Sequence, residues 1–138
     1  MTIAQMRAST RERGQNVVEF AAMILPVILM FLGMLQFGAY LWGVSVVTSA
    51  ARHGARMGSV SQACAACDAV VAAQSAVSGA PVIRNPAVTV LAPGGVVGSI
   101  VKIRVSATVP LLLPGGQTFG LESLTQVSAE ATFRQEGW

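Results

Sequence analysis

With 138 residues, 53% of them hydrophobic and 11% charged, the chain has about half the charge density of an average soluble domain, where roughly a quarter of residues are charged. That length holds one small domain, or a membrane segment plus a smaller domain, and so apolar a composition excludes disorder. The net charge of +3 rests on nine basic against six acidic residues, without a basic stripe or interleaved aromatics, which argues against a nucleic-acid partner.

Arg7, Arg11, Glu12 and Arg13 crowd the start, and after Glu19 the next charge is Arg52. The 32 residues from Phe20 to Ala51 are uncharged, with Gln36, Ser45, Thr48 and Ser49 their only markedly polar members. A membrane span needs roughly 20 apolar residues, so a transmembrane helix is expected over about residues 18–47. Three arginines ahead of it place the N-terminus in the cytoplasm by the positive-inside rule and export the C-terminal part. A cleaved secretory signal also begins with basic residues, but its apolar core of about 7–15 residues is half the length of this one.

Directly before the apolar run stands Arg13-Gly14-Gln15-Asn16-Val17-Val18-Glu19-Phe20. Glycine suits a scissile position, since no side chain keeps an enzyme from the backbone. Glu19 lies just inside the apolar zone, where an unpaired carboxylate costs roughly 2.5–3.5 kcal/mol at the centre and less near the edge. It either snorkels to the interface or waits for a partner. Pro26 removes one backbone hydrogen bond and should kink or loosen the helix between about Ala22 and Pro26. Small residues recur at helical spacing: Ala39 and Gly43, then Ala50, Gly54 and Gly58, then Ala51, Ala55 and Ser59. Such stripes allow close approach, inside the membrane to another helix and outside it to the protein's own sheet. Arg52 and Arg56, one turn apart, stand where the span is expected to end, as anchors to lipid phosphates or as contacts for an acidic partner. His53 beside them reads as solvated.

Gly14 followed five residues on by Glu19, then Phe20-Ala21, Pro26 and the Ala50-Ala51-Arg52-His53-Gly54-Ala55-Arg56 run, resembles the TadE-like minor pilins and pseudopilins of tight-adherence (Tad/Flp) type IV pilus systems. The resemblance covers residues 14–60; the remaining 78 match only in general pattern. It implies cleavage after Gly14 by a membrane prepilin peptidase, which makes residues 1–14 a cytoplasmic leader and Gln15 the new amino terminus. Glu19, with Phe20, would then serve assembly by pairing with a neighbouring subunit's Gln15 amine, and Pro26 would let the helix partly unwind in a fibre. Implied partners are the peptidase, other pilin or pseudopilin subunits and the Tad inner-membrane assembly platform, beside membrane lipid itself. The implied location is the inner membrane, with the extracellular pilus as a second. An uncleaved single-pass anchor presenting a small adhesion or envelope-binding module is the alternative.

Beyond the long helix, taken over residues 15–60, residues 61–138 are expected to form an exported domain. An alanine-rich helical pattern runs from about Ala63 to Val77 and stops at Gly79-Ala80-Pro81. Three strands are then predicted: Ala87 to Leu91, Ile100 to Val109 and Val127 to Arg134. The last two alternate, with Val101, Ile103, Val105, Ala107 and Val109 opposed to Lys102, Arg104, Ser106 and Thr108, and Val127, Ala129, Ala131 and Phe133 opposed to Ser128, Glu130, Thr132 and Arg134. Pro93-Gly94-Gly95 and Pro114-Gly115-Gly116 mark the connections, and the apolar loop from Pro110 to Leu124 either folds over the sheet edge or meets a partner. The fold class is therefore α+β: a long transmembrane helix of type IV pilin kind continuing into a small domain with a second short helix and a three-stranded, mostly antiparallel sheet on its outer part.

Cys64 and Cys67 form a lone C-x-x-C. In an oxidising compartment a disulfide is permitted, and closing so short a loop gives at most about 2 kcal/mol. Free thiols and an exported redox role stay open, although no strand precedes the pair as thioredoxin-like chemistry requires. No metal or cofactor is expected, and one histidine with six scattered acids leaves no catalytic set to nominate. The first fourteen residues contribute three arginines and one glutamate, so +2 of the +3 net charge lies in the leader.

Overall fold

The computed structural model describes residues 3–112 and 125–136, with side chains from Gln15 onward. Five elements follow one another: α1 (Ile3–Val60), α2 (Ala65–Ser78), β1 (Arg84–Pro93), β2 (Ile100–Thr108) and β3 (Gln126–Arg134). The order β1-β2-β3 is antiparallel throughout. This is the expected α+β arrangement of long helix, short helix and three-stranded sheet. Pro114-Gly115-Gly116 and most of the apolar loop fall within residues 113–124, outside the described residues.

The chain divides into two compact units, Met1–Leu35 and Gln36–Trp138, and the division falls inside α1. In the first, every residue from Gln15 to Leu35 but Leu32 is exposed. Met23 and Phe31, for example, keep 73% and 61% of their surface. From Phe20 to Leu35 the segment holds no charged or amide side chain, so it has no polar face to turn toward water. Within Gln15–Val60 the helix is long and apolar enough to cross a membrane, and none of its most apolar 18-residue stretch is buried.

In the second unit the same helix changes character. Val47, Ala50, Ala51 and Ala55 are buried, joined by Gly54, Gly58 and Ser59. Both small-residue stripes that follow Gly43 therefore pack on the domain's own elements. A Cβ at Gly54 would lie 2.6 Å from the Ala69 carbonyl oxygen and 2.7 Å from both Ala73 Cβ and Ile103 Cδ1. At Gly58 it would lie 2.7 Å from the Ala65 oxygen and 3.0 Å from Val101 Cγ1. Glycine costs about 1 kcal/mol in a helix interior; here it lets the α2 backbone and the β2 side chains come close to the backbone of α1. Gly43 meets Val109, Ile83 and Val127, so its neighbours are also within the chain rather than on another helix. The partners run 109, 103, 101 as the glycines run 43, 54, 58, which makes α1 antiparallel to β2.

Central β2 buries Val101, Ile103, Val105 and Ala107, with Val109 just beyond it, as alternation predicts. α2 adds Ala65, Ala69, Ala73 and Val77 at helical spacing. On β3, Val127 and Ala131 are buried, Ala129 is half-buried, and Phe133 keeps 37% of its surface. β3 is an edge strand, and Phe133, near its end, stays partly exposed although its partner Val101 on β2 is buried. β1 is longer than the predicted Ala87–Leu91, because Pro86 and Pro93 are tolerated on an edge strand and because its register shifts at Arg84/Ala87 and Val90/Ala92. Gly94, at φ +67°, turns the chain out of β1.

Candidate functional site

The residues singled out at the N-terminal end all lie on α1. The Gly14–Gln15 peptide bond is inside the helix, so an enzyme cutting there must first open a turn, and glycine makes that opening cheaper than any residue but proline would. One turn on, Gln15 Nε2 donates to Glu19 Oε1 at 3.3 Å. Both are exposed, as is Phe20 at 68%. Among the described residues the Glu19 carboxylate accepts from Gln15 alone and forms no ion pair. Helical spacing thus puts Gln15 and Glu19 on one face, with the carboxylate presented outward. The helix continues without a break across Pro26.

Forty residues along, burial of Ala51, Gly54, Ala55 and Gly58 leaves Arg52, His53 and Arg56 on the uncovered side of α1. Neither arginine is ion-paired among the described residues. His53 lines a shallow groove of about 300 Å³ with Trp42, Ser45, Val46, Ser49, Ala50 and Ala76.

Cys64 and Cys67 are joined by a disulfide at the N-terminus of α2. Cys64 caps the helix, its Sγ accepting from the Cys67 N–H at 3.2 Å while its carbonyl accepts from the Asp68 N–H at 3.0 Å. Asp68 in the first turn complements the positive end of the helix dipole. Among the described residues no three His, Cys, Asp or Glu side chains gather as metal ligands would.

Two glutamines matter more than their sequence context announces. Gln135 is buried, its Oε1 accepting from the Gly95 N–H (2.6 Å) and the Ser99 hydroxyl (3.2 Å), and its Nε2 donating to the Ser61 carbonyl (3.0 Å). Its backbone N–H donates to the Ser99 carbonyl and its carbonyl accepts from the Gly98 N–H. One side chain so joins the β1–β2 connection, the end of β3 and the α1–α2 junction. Gln36 accepts from the Leu112 N–H at 2.8 Å and donates to the Pro110 carbonyl at 3.4 Å. Only polarity within an apolar run marked Gln36, and nothing periodic marked Gln135.

On the outer face of the sheet, Glu130 pairs with Lys102 (2.7 Å) and with Arg104 across the β2–β3 ladder. Hydrogen bonds from Lys102 and then Arg104 hold its carboxyl below the usual glutamate range.

In comparison with known families, the TadE-like protein family model matches residues 14–56. The matched segment begins at Gly14, ahead of the exposed carboxylate, and ends at Arg56, on the packed half of α1. No curated protein and no solved structure matches the chain.

Proposed function

We propose that this chain is a minor pilin or pseudopilin subunit of a Tad-type pilus, acting in pilus assembly and surface adherence. A single observation carries this reading. The TadE-like match opens on a glycine followed at the fifth position by an outward-facing glutamate, ahead of a helical stretch from Phe20 to Leu35 that is apolar and almost wholly exposed. The chain is then a substrate and a building part rather than a catalyst. Prepilin peptidase cuts after Gly14, with the N-terminus cytoplasmic and the folded unit exported. Removal of the leader leaves a positive α-amine on Gln15. Glu19, in apolar surroundings that penalise its lone charge, finds its counter-ion in the Gln15 amine of a neighbour, while the apolar helices exchange lipid for one another. The Tad inner-membrane platform would receive the subunit at that step.

The test separates processing from assembly. Glu19→Ala is expected to leave cleavage after Gly14 intact yet remove the subunit from sheared filaments. Normal incorporation of Glu19→Ala would refute the charge pairing.

A further inference from the structure

Gln36 opens the second compact unit and is the one amide or charged side chain between Glu19 and Arg52. Both ends of its amide bind backbone groups of Pro110 and Leu112, which lie just past β2 and outside regular structure. Irregular backbone ordinarily turns such groups to water. A side chain that satisfies them has its greatest value where water is scarce, since an unsatisfied peptide group in an apolar medium costs several kcal/mol.

The surroundings at this level are apolar. Phe37, Leu41, Trp42 and Leu112 keep 63%, 51%, 54% and 49% of their surface. At about 100° per residue, Phe37, Leu41 and Trp42 spread over about 140° of α1, opposite half-buried Ala39 and Tyr40 and buried Gly43, so the exposure is a broad face and not a narrow groove. That distribution fits lipid better than a protein partner. A hydrocarbon core of about 30 Å takes about 20 helical residues at about 1.5 Å each, so a span counted from Glu19 ends near Ala39. Tyr40 and Trp42 follow at once, where aromatic side chains favour the headgroup boundary.

We propose that Gln36 clamps the Pro110–Leu112 segment into the outer boundary of the bilayer, so that the domain is seated on lipid by a loop as well as by its helix. The proposal rests on the membrane-anchor reading. It ends the span near residue 39 and places Arg52 about 20 Å farther along α1, clear of the headgroups and open to an acidic protein partner.

The test uses the full chain in phosphatidylcholine vesicles, with Trp138→Phe to leave Trp42 as the one tryptophan and Leu112→Cys carrying an environment-sensitive fluorophore. Lipids brominated at shallow or deep acyl positions act as quenchers. Both probes are expected to lose more emission to shallow than to deep bromines. Adding Gln36→Leu should return the residue-112 probe to a water-like spectrum while Trp42 stays quenched. Should that variant fail to fold, the two probes with Gln36 intact decide alone. A residue-112 probe that no bromine quenches, beside a quenched Trp42, overturns the seat, even if a blue-shifted spectrum reveals a protein cover. Stronger quenching of Trp42 by deep bromines also overturns it. Failure of the membrane-anchor reading has a separate signature, with neither probe quenched.

Discussion

Gly54 and Gln135 carry more structural consequence than their residue types announce. At Gly54 a methyl group would meet the Ala69 carbonyl at 2.6 Å, and a backbone oxygen in a packed helix cannot step aside. Gly54→Ala should therefore lower stability by about 1–3 kcal/mol through overpacking. Gly38→Ala, with nothing within 4 Å of the added carbon, should be neutral or stabilising by up to about 1 kcal/mol. Denaturant unfolding in micelles compares the two, and equal effects would refute the close approach. Gln135→Leu should cost about 2 kcal/mol in the same assay by orphaning the Gly95 N–H and the Ser61 carbonyl. The two residues differ in how far the sequence discloses them. Gly54 sits in a stripe whose four-residue spacing already predicts a packed face. Gln135 acts on groups 36 to 74 residues away, and no local pattern encodes such a distance.

Among the elements, strands with one wet face were the most legible. Alternation in β2 predicts the buried and exposed sides residue for residue up to Val109. β1 was harder because its prolines imitate boundaries, and their tolerance depends on an edge position that only the assembled sheet supplies. Phe133 follows the alternation yet stays partly exposed, since periodicity fixes a face but not how far the helices cover it. The outer face gives β2 and β3 a charge-dependent link. Because the Glu130 pKa is lowered by Lys102 and Arg104, the link is complete above the ordinary glutamate range and is lost as pH falls through the depressed value. Glu130→Gln should lower the melting temperature at neutral pH, with the difference closing at strongly acidic pH. A difference that persists there would show that charge is not its source.

For the molecule as a whole, one uninterrupted helix serves two solvents. The sequence shows a single uncharged run from Phe20 to Ala51 and invites a single long span. The fold divides that run at Leu35 and Gln36: the earlier part is exposed and apolar, and the later part buries its small residues against α2 and β2. Hydropathy cannot draw this line, because lipid and a protein core select the same residue types. On the proposed function, the first unit is the part that passes from bilayer to filament while the second keeps its own core. On the proposed function that passage begins with cleavage after Gly14, and the most direct measurement is the intact mass and N-terminal sequence of the protein from native membranes containing its peptidase. A mature chain beginning at Gln15 is the expected result; a chain that keeps Met1 to Gly14 would contradict the account.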